Sequence, residues 1–178
     1  MEERILSRRG EGKIRLGWYW KADLIRGELG RALGFENEYG PWEHNALLDE
    51  GERNVLDVYF RNNLAPANFF LGLSSSTLSE TQTLANAIEP SQSGYARNQI
   101  ARNTTDWGAP TLNAGDFQTT ATQEAFDAAA TWTPVTEIIL VSTSTGASGS
   151  VLLTAALSTT RSLVSGDRLN VTLTVKAQ

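Results

Sequence analysis

The sequence predicts a mainly β fold: an antiparallel β-sandwich with an N-terminal extended arm and one or two short helices. Three observations lead there. Leu169, Val171, Leu173 and Val175 alternate with Asn170, Thr172, Thr174 and Lys176, the period of two expected of a half-buried strand. Short apolar runs recur along residues 63–178, separated by Gly, Ser, Asp and Asn turn signals, as in sandwiches and barrels. No strand–helix–strand alternation marks a parallel sheet.

The elements follow in chain order. Residues 1–15 are strongly charged and contain Gly10 and Gly12, which reads as an extended arm ordered only by what holds it. Over Lys21 to Leu33 the apolar spacing permits a short helix, but Gly27 and Gly30 each weaken it by about 1 kcal/mol relative to Ala, so a strand or irregular reading stays open. Tyr39-Gly40-Pro41-Trp42 is turn chemistry, so Glu36 to Trp42 is expected as a loop. Asp49 to Asn62 is the best helix: Asp49 can cap, Glu50 and Glu52 suit the positive N-terminal end, and Val55, Leu56, Tyr59 and Phe60 form one apolar stripe. Asn62-Asn63 and Pro66 end it. Strands are expected at Asn68 to Leu73, Tyr95 to Ala101, Phe117 to Thr122, Val151 to Leu157 and over the alternating C-terminal run. Gln123 to Ala129 has helical propensity but is read as a strand, because its neighbours are strands and Thr is dense there. Val135 to Val141 is apolar on both faces and reads as a central strand. Thr143 to Ser150 is a loop.

Charge divides the chain. Residues 1–62 hold 10 of the 15 Lys/Arg and 12 of the 20 Asp/Glu, and the remainder is rich in Ser, Thr, Ala and Gly. We therefore expect an N-terminal arm and helical attachment region over 1–62 and a β-sandwich domain over 63–178, with the boundary near Asn62 to Pro66. A chain of 178 residues can bury a core without staples. There is no cysteine, so disulfides and thiolate chemistry are excluded. The net charge of −5 argues against wrapping nucleic acid. No apolar run is long enough to cross a membrane as a helix, and the N-terminus has no signal pattern, so synthesis and residence in the producing cytoplasm are expected.

Candidate chemistry is sparse. The single histidine, His44, sits in Pro41-Trp42-Glu43-His44-Asn45. A catalytic reading would make Glu43 or Asp49 its orienting partner, yet no Gly-x-Ser-x-Gly accompanies it, and a locally hydrogen-bonded histidine is the simpler reading. The carboxylates of the β half are Glu80, Glu89, Asp106, Asp116, Glu124, Asp127, Glu137 and Asp167. A glycosidase would need two of them across a cleft, but Asp116 and Asp167 each follow Gly in a turn. No Asp-rich calcium loop or phosphate loop is present, so no metal and no cofactor is expected. Trp18, Tyr19 and Trp20 are consecutive, and Tyr39 and Trp42 follow. Packing of the arm is the commonest use of such residues, an intersubunit contact the next, and a sugar platform the least common. Arg8 and Arg9, with Lys13 and Arg15, make a basic cluster nearly cancelled by Glu2, Glu3 and Glu11. Arg8, Arg9, Trp18, Tyr19, Trp20 and Trp42 are the candidate interface residues.

An ordered set of motifs then stands out. Asn45-Ala46-Leu47-Leu48-Asp49-Glu50-Gly51-Glu52-Arg53-Asn54-Val55-Leu56-Asp57-Val58-Tyr59-Phe60-Arg61 leads into Ala65-Pro66-Ala67-Asn68-Phe69-Phe70-Leu71-Gly72-Leu73. Gly94-Tyr95-Ala96-Arg97 and Thr131-Trp132-Thr133-Pro134-Val135-Thr136 follow, and Ala155-Ala156-Leu157 with Val164-Ser165-Gly166-Asp167-Arg168-Leu169-Asn170-Val171 closes the series. Over about residues 42–178 this order resembles tailed-bacteriophage virion proteins of the head-decoration and tail-fibre-like group. The resemblance implies a non-enzymatic structural role in a virion assembled in the host cytoplasm, and it transfers no catalytic residue. Within it, a capsid decoration or cement protein is the first expectation. Its partners would be the major capsid protein or other virion proteins and neighbouring copies of itself, a trimer being one option. A tail, neck or fibre component binding host-surface glycans is the alternative. Outside it, a small polysaccharide-degrading enzyme or a free carbohydrate-binding module would require paired acids or an exposed aromatic platform.

Overall fold

The structure, a computed structural model, describes residues 16–40, 43–63 and 65–177. The expected arm over 1–15, and with it Arg8 and Arg9, lies outside them, as does Trp42.

The protein is mainly β, with two antiparallel sheets packed together and two helices. The N-terminal part contributes β1 (Leu16–Ile25), α1 (Glu28–Ala32), β2 (Glu38–Tyr39), β3 (Glu43–Leu47) and α2 (Asp49–Phe60). Then come β4 (Asn68–Ser74), β5 (Asn98–Ala101), β6 (Thr111–Asn113), β7 (Asp116–Thr120) and β8 (Glu124–Asp127). The chain closes with β9 (Val135–Val141), β10 (Val151–Arg161) and β11 (Arg168–Ala177). One sheet runs β5-β4-β9-β10-β3, the other continues β3-β1-β11-β7-β6, and β2 and β8 pair with β1 and β11. Strand β3 bridges the two, pairing with β10 through Leu47 and with β1 through Asn45.

From Leu16 onward the N-terminal part supplies strands to both sheets, and β1 pairs along its whole length with β11, Leu16 opposite Ala177 and Ile25 opposite Arg168. Local pattern hid β1 because charged Lys21 and Asp23 alternate with buried Ala22 and Leu24 over too short a stretch. Gly27, read above as a weak helix residue, sits where a Cβ would lie 2.2 Å from the Gly166 carbonyl oxygen, so it serves close backbone approach. The short β2 stands where a loop was expected.

Other expectations hold. Leu169, Val171 and Leu173 are buried on one face of β11. Thr174, expected outward, is buried too, its hydroxyl 2.8 Å from that of Thr120. Central β9 is buried on both faces for a definite reason. Ile138 and Leu140 enter the core between the sheets with Leu24, Leu73, Leu153 and Leu169. Ile139 and Val141 face a second cluster made by Leu48, Leu78, Leu84 and Val151. Within residues 123–129, Glu124–Asp127 form strand β8, as read from the neighbours, with Phe126 buried. The turn before β7 is a hairpin: Ala114 and Gly115 have φ of 52° and 95°, the left-handed pair that matches strand twist, and β6 precedes it.

Helix α2 spans the expected residues, but its N-cap position is Leu48, not Asp49. The Asp49 amide donates to the Glu80 carbonyl at 3.2 Å, and the Glu50 carboxylate accepts from the Val151 amide at 2.8 Å, which ties the helix to β10. Gly51 allows the contact: a Cβ there would stand 1.9 Å from the Leu152 carbonyl oxygen. Asn62, at φ 55°, ends the helix.

Candidate functional site

An apolar cavity of about 720 Å³ lies between α2, β4, the 102–107 segment and the neighbouring strands β7 and β11. Val55, Val58 and Phe60 line it from the helix, Phe69 from β4, Trp107 from the segment after β5, and Val175 from β11. Val175 continues the inward row of Leu169, Val171 and Leu173, so the cavity extends the sandwich interior toward the surface. Its far wall is built on aromatic and cationic contacts. The rings of Phe69 and Trp107 meet edge to face at 6.3 Å, and the Arg102 guanidinium stands 5.4 Å from the Phe69 ring centre while donating to the Pro66 carbonyl at 3.0 Å.

The helix stripe is only partly used. Val55 and Val58 are half-buried, but Leu56 is 56% and Phe60 73% exposed. Sequence reasoning found the stripe but not the cavity, because Phe69, Trp107 and Val175 join it from distant positions.

Of the expected interface residues, Trp18, Tyr19 and Trp20 lie on β1, opposite Val175, Thr174 and Leu173 of β11. They also face Asn45, His44 and Glu43 of β3. Tyr19 is half-buried, with the Lys176 ammonium 6.0 Å from its ring centre. His44 lies on β3.

The carboxylates are engaged in the scaffold. Asp167 is fully buried and accepts from Arg26 Nη1 at 2.8 Å, the Gly27 amide at 2.8 Å and the Val164 amide at 3.0 Å. That is far more than closing a turn. Glu38 bridges Arg26 and Arg161. Burial, then the Arg26 charge, lowers the Arg161 pKa. Asp127 pairs with Arg168 through both oxygens, and Asp116 with Lys176 at 3.0 Å. Glu137 accepts from the Leu78 amide at 2.8 Å, and burial pushes its pKa up. Asp106 accepts from the Ala101 amide at 2.6 Å. Burial first, and the Asp106 charge second, raise the Glu124 pKa. Among the described residues, no three His, Asp or Glu side chains are grouped as a metal site.

The motif Gly94-Tyr95-Ala96-Arg97 has a structural task. The Tyr95 hydroxyl donates to Glu89 at 2.5 Å and accepts from the Leu73 amide at 2.9 Å, and its ring meets Trp132 edge to face at 5.6 Å. Burial, then the Glu89 hydrogen bond, holds the phenol well above its ordinary range. Arg97 pairs with Glu89 and donates to the carbonyls of Thr143 and Gly146, each at 2.8 Å, holding the 143–150 loop. The Trp132 indole N–H donates to the Ser93 carbonyl at 3.1 Å.

Comparison with known proteins gives one family. The sequence model described as "Podophage GP4 fiber I protein gp80" matches residues 46–175, well over half of the chain. No curated protein matches the chain.

Proposed function

Because the chain belongs to the Podophage GP4 fiber I protein gp80 family, and so is a fibre-like structural protein of a tailed-phage virion, we propose that it is a non-enzymatic fibre component that assembles with copies of itself and with other virion proteins. The family match carries this reading: residues 46–175 include α2 and every strand from β4 to β10, together with most of β11. The carboxylates support it. Asp167, Glu89, Glu38 and Asp127 are committed to arginines that hold turns and strands together. The most buried of them, Asp167–Arg26, is held by further backbone hydrogen bonds that serve scaffold geometry more than reaction chemistry. The function needs no cofactor, nucleic acid or membrane.

Capsid decoration is the second reading, with the major capsid protein as partner. It is favoured by the mixed-charge N-terminal segment, which suits a clamp that orders on binding. Host-surface glycan binding would be an added role of the fibre reading, carried by loops such as 142–150.

Copy number per particle, measured by quantitative mass spectrometry of purified virions against the major capsid protein, tests these readings. A few to a few dozen copies is the result expected of a fibre. A count near one per capsid subunit, or a simple fraction of it, would replace the fibre with decoration. Absence from particles would overturn both.

A further inference from the structure

The cavity beside α2 is lined mostly by apolar side chains, and the chain's own N-terminal segment joins the body close to it. Leu16 starts β1 opposite Ala177, two residues along β11 from Val175, which lines the cavity. Residues 1–15 therefore join the body close to the cavity's wall. β1 is antiparallel to β11, so the start of β1 and the end of β11 lie side by side. Ile5 and Leu6 lie 11 and 10 residues before Leu16, a reach of about 35 Å in extended form, close to the roughly 40 Å breadth of a folded body of this size.

Composition matches the target. Ile5 and Leu6 form an apolar pair, followed by Arg8 and Arg9. The segment holds five Lys/Arg against three Asp/Glu, leaving 10 against 17 for the rest of the chain, so the segment is cationic and the body acidic. The lining itself is mostly apolar, with Val55, Val58, Phe60, Phe69, Trp107 and Val175 beside the single cation Arg102. The exposed Phe60 and Leu56 extend the apolar surface beyond the cavity.

We propose that residues 1–15 of one copy seat in the α2 cavity of a neighbouring copy, with Ile5 and Leu6 against Val58, Phe60, Phe69 and Trp107. The inference rests on the assembly reading above and deepens it, since it names the partner segment and its seat. Transfer of the segment between copies links them without new folded structure, and its ordering cost is met at binding.

The test uses the full chain with benzoylphenylalanine at position 6, prepared as an equal mixture of ordinary and nitrogen-15-labelled protein, irradiated and mapped by peptide mass spectrometry. Cross-links from position 6 to residues 54–60, 65–69 or 102–107, in peptides of mixed isotope, are expected. Same-isotope cross-links only, cross-links elsewhere, or none at all would overturn the proposal. Phe60→Asp provides a second measurement, because this side chain is 73% exposed and its loss leaves the core intact. It is expected to weaken self-association in sedimentation by at least about tenfold. Unchanged self-association would overturn the proposal. Copy number in virions decides the fibre reading separately, so the two can fail independently.

Discussion

Asp167 and Arg26 stand 141 residues apart in sequence and meet at 2.8 Å, with the carboxylate fully buried and the guanidinium 5% exposed. Around that pair, Gly27, Val164, Glu38 and Arg161 join the chain leaving β1 to the β10–β11 turn. Asp167→Ala would leave Arg26 short of a partner and two backbone amides unsatisfied. We expect a loss of about 3–5 kcal/mol in urea unfolding. A loss below about 1 kcal/mol would show that the network is dispensable.

Glu137 sets a pH dependence. Its pKa is raised chiefly by burial, so the folded chain holds this proton more tightly than the unfolded chain does. The contribution is therefore fully present below the unfolded value of about 4.3 and is lost as pH rises through the folded value. Glu137→Gln keeps an acceptor for the Leu78 amide without the buried charge. Its stability relative to the parent should rise between pH 4 and pH 7. A difference that stays constant across that range in parallel urea titrations would refute the assignment.

Arg97→Ala should free the 143–150 loop, because the carbonyls of Thr143 and Gly146 lose their donor and Glu89 loses its counter-charge. The cost is expected at about 1–3 kcal/mol. Hydrogen exchange of amides in residues 143–150 should accelerate about tenfold or more, while β9 stays protected. Uniform acceleration across β9 and the loop would mean that Arg97 supports the whole sheet.

Val171 is 1% exposed and lies opposite Ala22 of β1 and Glu124 of β8. Val171→Asp buries a charge beside a carboxylate and is expected to cost about 3 kcal/mol or more. An unchanged melting temperature would contradict the inward placement of this row.

What the sequence determined by itself was local. The alternation over 169–175, the two-faced apolar run of 135–141 and the bounds of α2 were legible because periodicity and end signals are carried by adjacent residues. The virion resemblance was legible from ordered motifs, and the family match agrees with it. Tertiary structure alone decided that β1 and β3 belong to the sheets, because strand pairing depends on a partner more than a hundred residues away. It also decided that part of the α2 stripe stays exposed and that Val55, Val58, Phe69, Trp107 and Val175 share one cavity. An apolar stripe specifies a face to be covered, but the covering surface is set by how distant segments pack, and that information is absent from any single window of sequence.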